Sequence, residues 1–164
     1  MIESITSGLN KDKFGIYHAS GKSKISYPED QNSLCMQFEE SSFWFIHRNN
    51  SIISMVKNSP PTGPILDVGG GNGFVSLGLI QSGFEAIVLE PGIEGAMNAK
   101  KRGITGVICS TYQDAGLRET SLDACAMFDV IEHIEDDTAF LKALHQDMKI
   151  NGKLYLPVPA YSLL

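Results

Sequence analysis

The sequence predicts an α/β protein built on a doubly wound parallel sheet, and three observations carry that prediction. Short apolar strands alternate with helical stretches from about residue 65 to about residue 158. Two of these strands end in an acid, Asp67 and Glu90. The first runs into a turn with glycine at alternate positions, Gly69, Gly71 and Gly73, which opens at once into a helix. Strands alternating with helices imply right-handed crossovers and a sheet covered on both faces.

Each element has its own signal. Residues 1–38 are weakly patterned, with Gly8, Gly15, Gly21 and Pro28, and read as loops with short helical pieces. From Glu39 to Lys57 the apolar residues Phe43, Ile46, Ile53 and Val56 recur at helical spacing, which predicts a helix over about 39–57. The run NSPPTGP at 58–64 then breaks the chain. It separates an N-terminal segment, 1–58, from a second region, 59–164. There the pattern predicts strand 65–68, helix 73–82, strand 85–90 and helix 92–102, with Gly83 and Gly103 where helix C-caps belong. Val107–Cys109 reads as a third strand and Asp123–Phe128 as a fourth. A helix at about 137–149 carries Phe140, Leu141, Leu144 and Met148 on one side. Asn151-Gly152 stops it, and Lys153–Val158 forms a fifth strand.

Composition sets outer bounds. A chain of 164 residues with 43% hydrophobic content can bury one real core. No apolar run approaches the roughly 20 residues that span a bilayer. Met1-Ile2-Glu3-Ser4 lacks the basic start of a signal peptide. The net charge of -6 argues against nucleic acid as the main partner. Cys35, Cys109 and Cys125 are odd in number, far apart and without a CxxC pair, so neither a zinc knuckle nor a disulfide framework is indicated. A reduced, cytoplasmic protein without a bound metal is the expectation.

The glycine turn carries the chemistry. Without Cβ atoms, its backbone lets a ligand approach closely, and an acid at the tip of the following strand is where a nucleotide ribose is held. A dinucleotide fingerprint would need G-x-G-x-x-G. Counted from Gly69, its third glycine falls on Phe74, so that pattern fails. What stands in PILDVGGGNG (64–73) is D-x-G-x-G-x-G. This resembles motif I of the class I S-adenosylmethionine-dependent methyltransferases, with Glu90 matching their ribose-binding acid. MFDVIEHIED at 127–136 resembles the fourth-strand motif of the small-molecule group that includes the ubiquinone-biosynthesis O-methyltransferases. FWFIHR at 43–48 is similar to that group's N-terminal helix. The resemblance covers roughly residues 39–160.

The resemblance implies a Rossmann-like sheet in the order 3-2-1-4-5. The family normally adds two more strands, the last antiparallel, and this chain lacks them. Its fifth strand is therefore expected to be a bare edge, through which copies of the chain could pair. The implied activity is methyl transfer from S-adenosylmethionine to a small-molecule acceptor, with S-adenosylhomocysteine as product. The alternative is a cofactor-binding module or partner subunit without catalysis. The D/N-P-P-Y/F signature of amino-methylating DNA enzymes is absent.

Roles for single residues follow. The turn Gly69, Gly70, Gly71 and Gly73 would offer backbone N–H groups and a helix N-terminus to the cofactor's carboxylate. Asp67 would accept from its ammonium, and Glu90, followed by Pro91, from its ribose diol; capping for Asp67 and surface exposure for Glu90 are the plainer readings. Adenine would lie near Tyr112, with Gln113 or Asp114 accepting from its amine, although Tyr112 could equally cover the core edge. Phe128 would border the methionine moiety. His133 would be the general base, since imidazole exchanges protons near neutral pH, or would merely orient its loop. Trp44 and Arg48, four apart on a helix, would form a lid, or else serve as core and solvated charge. Little more than alignment is needed, because orientation alone can supply roughly 7–11 kcal/mol.

Overall fold

The strand Ile65–Val68, buried at every position, lies at the centre of the sheet. The computed structural model describes residues 1–21, 36 and 38–157. We number the strands β1 (Asn10–Lys11), β2 (Tyr17–His18), β3 (Ile65–Val68), β4 (Ala86–Leu89), β5 (Val107–Cys109), β6 (Leu122–Ala126) and β7 (Met148–Tyr155). The helices are α1 (Ile2–Ile5), α2 (Phe43–Asn58), α3 (Phe74–Gln81), α4 (Ile93–Lys101) and α5 (Asp137–Asp147). β3 pairs in parallel with β4 on one side and β6 on the other. β3 and β4 are both buried at every position; β4 is a continuous apolar run, and β3 is one but for Asp67.

The sheet order is β1-β2-β5-β4-β3-β6-β7. The stretch β5-β4-β3-β6-β7 is the expected 3-2-1-4-5 arrangement, and the whole order differs from it by two further strands beside β5. The addition of β1 and β2 corrects the reading of residues 1–38 as loops and helical pieces. β1 and β2 form an antiparallel hairpin, and β2 joins the free side of β5 in parallel. The Asp12 carboxylate shapes the hairpin turn by accepting from the backbone N–H groups of Phe14 and Ile16, both at 2.9 Å. Ile16, 1% exposed, packs with Ala96, Ala99, Ile104 and Val107. Ile2 and Ile5 of α1 enter the main core beneath the sheet.

Two other elements depart from expectation. The buried face of α2 is Asn49, Ile52 and Val56, whereas Phe43 and Ile46, expected on it, are 82% and 41% exposed. The cause is Asn49, whose Nδ2 donates to the Phe74 carbonyl at 3.3 Å. A polar residue on the buried stripe rotates the apolar count onto the wrong side. At the other end of the chain, α5 stops at Asp147 and β7 begins at Met148. Asn151, in the left-handed region at φ 67°, lies within a register irregularity of β7 rather than at a helix stop. Gly83 and Gly103 follow α3 and α4 at φ +92° and +88°, the left-handed C-cap conformation predicted for them.

Candidate functional site

The carboxyl ends of β3, β4 and β6 open into a cleft of about 430 Å³, roofed by α2. This is the position at which open α/β sheets bind ligands, and the volume suits a small molecule. Its lining brings together Arg48, Asp67, Gly69, Gly70, Gly71, Glu90, Pro91, Phe128 and His133, all singled out from the sequence.

The glycine turn is built for close approach. Gly69 holds φ +69°, and its N–H donates to the Leu89 carbonyl at 2.8 Å. A Cβ there would lie 2.7 Å from Val130 Cγ2, so the loops after β3 and β6 meet over bare backbone. Gly73 does a different job from the one expected. At φ +74° it starts α3, and its missing Cβ admits Ile104 Cδ1 (2.5 Å) and Ala99 (3.0 Å). It therefore packs α3 against α4 behind the cleft and does not line it.

Two acids occupy the floor. Asp67 is 1% exposed and accepts a 2.6 Å hydrogen bond from the Ser76 hydroxyl. Burial pushes its carboxyl up to about 7, and nearby Glu90 adds to this, while the Ser76 hydroxyl and the Arg48 guanidinium pull the other way. Glu90 is held from both sides. Its Oε2 accepts from the Gly71 N–H at 2.9 Å and its Oε1 from the Gly92 N–H at 2.8 Å. Burial raises its carboxyl, against the pull of these two N–H donors. Each oxygen has a further lone pair, so the carboxylate is oriented and can still accept.

Arg48, on the roof, gives its guanidinium to Asp129 at 2.6 Å and lies 5.8 Å from the Trp44 ring centroid. Trp44 itself is 59% exposed and off the cleft wall, contrary to expectation. Phe45, one residue on and rotated about 100° around the helix, lines the cleft instead. His133 ends a 3₁₀ turn, Ile131–His133, at the cleft mouth. Tyr112 lies elsewhere. Its ring packs on Phe140 at 4.7 Å, its hydroxyl donates to Asp147 Oδ2 at 2.6 Å, and it does not line the cleft. Gln113 is exposed and also outside the lining.

Eight lining residues carried no role in the sequence reading: Glu39, Phe45, Asn72, Phe74, Val75, Asp129, Val130 and Ile134. Several of them stand inside quoted motifs, Phe45 in FWFIHR, Asn72 in PILDVGGGNG and Asp129 in FDVIEH; Asp129 takes a left-handed φ of 59°. Among the described residues no group of three or more His, Cys, Asp or Glu could hold a metal. No helix among them is long and apolar enough to cross a membrane.

A bare glycine turn, an oriented acid after the second parallel strand and a buried acid beneath them define a nucleoside-cofactor class of α/β domain. Comparison with known proteins narrows the class. Residues 66–156 match the methyltransferase domain family, and the chain belongs to that family. A ubiquinone biosynthesis O-methyltransferase of Xanthomonas oryzae pv. oryzae is 29% identical over 98 residues, or 56% of this chain and 41% of that protein. The chain thus spans well under half the length of the curated relatives it matches. Among solved structures, an S-adenosylmethionine-dependent methyltransferase of Thermotoga maritima, described as a possible histamine N-methyltransferase, aligns with a TM-score of 0.61. It is 26% identical, and the match covers 76% of this chain and 58% of that one. A Bacteroides fragilis methyltransferase solved with S-adenosylhomocysteine aligns at 0.53 and 21% identity, over 82% of this chain and 52% of that one. S-adenosylmethionine is the cofactor of the family. The cleft fits it, since Glu90 keeps acceptor capacity for a diol and Asp67 for an ammonium.

Proposed function

We propose that the chain binds S-adenosylmethionine in this cleft and directs methyl transfer to a small-molecule acceptor. The observation that carries the reading is Glu90, held by the Gly71 and Gly92 N–H groups in the cleft that also contains Asp67. When bound, the cofactor supplies an electrophilic methyl group on a sulfonium. Glu90 binds and orients the ribose hydroxyls, Asp67 faces the ammonium, and Phe128 with Val130 gives the wall an apolar stretch that excludes water. Pro91 continues the wall beyond Glu90. Arg48, a guanidinium of the lining, serves the cofactor's carboxylate when it parts from Asp129. His133, at the mouth, takes the proton of a hydroxyl acceptor. Residues 1–58 contribute the roof helix, and 59–164 form the cofactor domain. A reduced, cytoplasmic setting belongs to this reading, supported by the free thiol of Cys125, buried in the core.

Calorimetric titration with S-adenosylhomocysteine tests the site. Wild-type protein is expected to bind, and Glu90→Ala to bind at least about tenfold more weakly, the size of a lost charge-assisted hydrogen bond. Absence of binding, or indifference to Glu90→Ala, sinks the reading. Release of label from methyl-labelled S-adenosylmethionine to a panel of hydroxylated and amine acceptors then tests turnover.

A further inference from the structure

We propose that Glu39 is a positioning residue of the cofactor site and acts on the glycine turn through Asn72. The inference rests on the cofactor reading above. Glu39 comes from ahead of the roof helix, yet it is 8% exposed and lines the cleft. Its carboxylate accepts from Asn72 Nδ2 at 3.3 Å through Oε1 and 3.5 Å through Oε2. Asn72, 3% exposed, in turn accepts through Oδ1 from Asn98 Nδ2 at 3.0 Å. Asn98 Oδ1 accepts from Lys101 Nζ at 3.2 Å. A chain of buried polar groups thus runs from the back of α4 to the cleft and ends on Glu39.

Asn72 stands between Gly71, whose N–H holds Glu90, and Gly73, which starts α3. Fixing its side chain from both ends sets the peptide geometry of the turn, and with it the direction of the Gly71 N–H. Glu39 therefore bears on the Glu90 carboxylate at second hand.

The ion pair that Glu39 also makes is a poor device for stability. Arg102 Nη2 lies 2.8 Å from Glu39 Oε2, and the Arg102 side chain is only 4% exposed. Nε, Nη1 and Nη2 are buried with no hydrogen-bond partner among the described residues, and the guanidinium has besides only Glu40 Oε1 at 3.6 Å and the Phe74 ring at 5.2 Å. Buried pairs with unsatisfied donors seldom recover the cost of leaving water. Placement of the carboxylate beside the turn is what this arrangement achieves.

Two properties separate under substitution. Glu39→Gln keeps an acceptor for Asn72 but leaves Arg102 only the exposed Glu40, 3.6 Å from Nη2, as a counter-charge. It is expected to lower the thermal midpoint while keeping wild-type affinity for S-adenosylhomocysteine. Glu39→Ala removes both and is expected to bind about tenfold more weakly. Placing it beside Arg102→Met, which leaves no unpaired guanidinium, keeps the comparison on folded protein. Glu39→Ala added to Asn72→Ala is expected to cost no further affinity, because the path through Asn72 is already cut. Three results overturn the proposal: Glu39→Ala at wild-type affinity, Glu39→Gln as weak as Glu39→Ala, or a further loss in the Asn72→Ala background, which would assign Glu39 to direct ligand contact. Wild-type protein that binds no S-adenosylhomocysteine overturns the functional reading, and this inference with it.

Discussion

Burial gives Asp67 a proton that an exposed aspartate would lose. Its carboxyl is raised from 3.8 to about 7, so between those values the folded protein holds a proton that the unfolded chain has released. The stability this contributes is complete below about pH 4 and is lost as pH rises through about 7, at no more than about 1.4 kcal/mol per pH unit. Urea denaturation of the ligand-free protein at pH 5 and pH 8 should show the decline, and Asp67→Asn should flatten it. An ammonium placed against Asp67 favours the carboxylate, so ligand binding near pH 6 should also release a proton, measurable by titration in buffers of different ionisation enthalpy. Asp67 and Glu90 were legible in the sequence because each stands at the carboxyl end of its strand, Asp67 as the third residue of β3 and Glu90 just after β4. Glu39 and Asn72 were not. They meet across 33 positions of chain, and no local pattern records a contact that only folding creates. Of the two readings open for Tyr112 the core edge is the one its contacts favour, since its ring packs on Phe140 and its hydroxyl is committed to Asp147.

Helix α2 is tied to the body at two places around the cleft. Glu39, just before it, reaches Arg102, and Arg48, within it, reaches Asp129. The second pair is half-exposed and ties up a guanidinium that lines the cleft. Asp129→Asn should therefore tighten S-adenosylhomocysteine binding about two- to fivefold, the worth of such a pair. Asparagine tolerates the left-handed φ of that position, so the backbone is expected to hold. Titration calorimetry of the variant checks this, and weaker binding would mean that Asp129 itself serves the ligand. At this scale the sequence was readable where an apolar run was unbroken, as in β4. It was misread where polar residues carry structure. Asn49 hid the buried face of α2, and Asn151-Gly152 offered the same turn chemistry to a helix stop and to a strand irregularity.

The parallel sheet order followed from family resemblance, and the hairpin at its edge did not. Two-residue strands such as Asn10–Lys11 and Tyr17–His18 are too short for alternation to reveal. Their hold on the core is nonetheless firm, because Ile16 is buried against α4 and β5. Ile16→Ala should cost about 2–5 kcal/mol. It should shift the unfolding of the whole chain as one transition, seen together by circular dichroism and tyrosine fluorescence; early loss of the hairpin alone would show it to be an appendage. The junction between α2 and α3 is of another kind. Asn49 leaves Oδ1 buried without a partner among the described residues, and Gly78, where a Cβ would come within 2.7 Å of Asn49, sits mid-helix at a cost of roughly 1 kcal/mol relative to alanine. The roof thus meets the body through the buried contact of Ile52 and Val56 with Leu79, interrupted at one point by an amide and a bare helical backbone. With ion pairs on both flanks of the cleft, that point is where a substitution such as Gly78→Ala would have to displace Asn49 before the roof could seat.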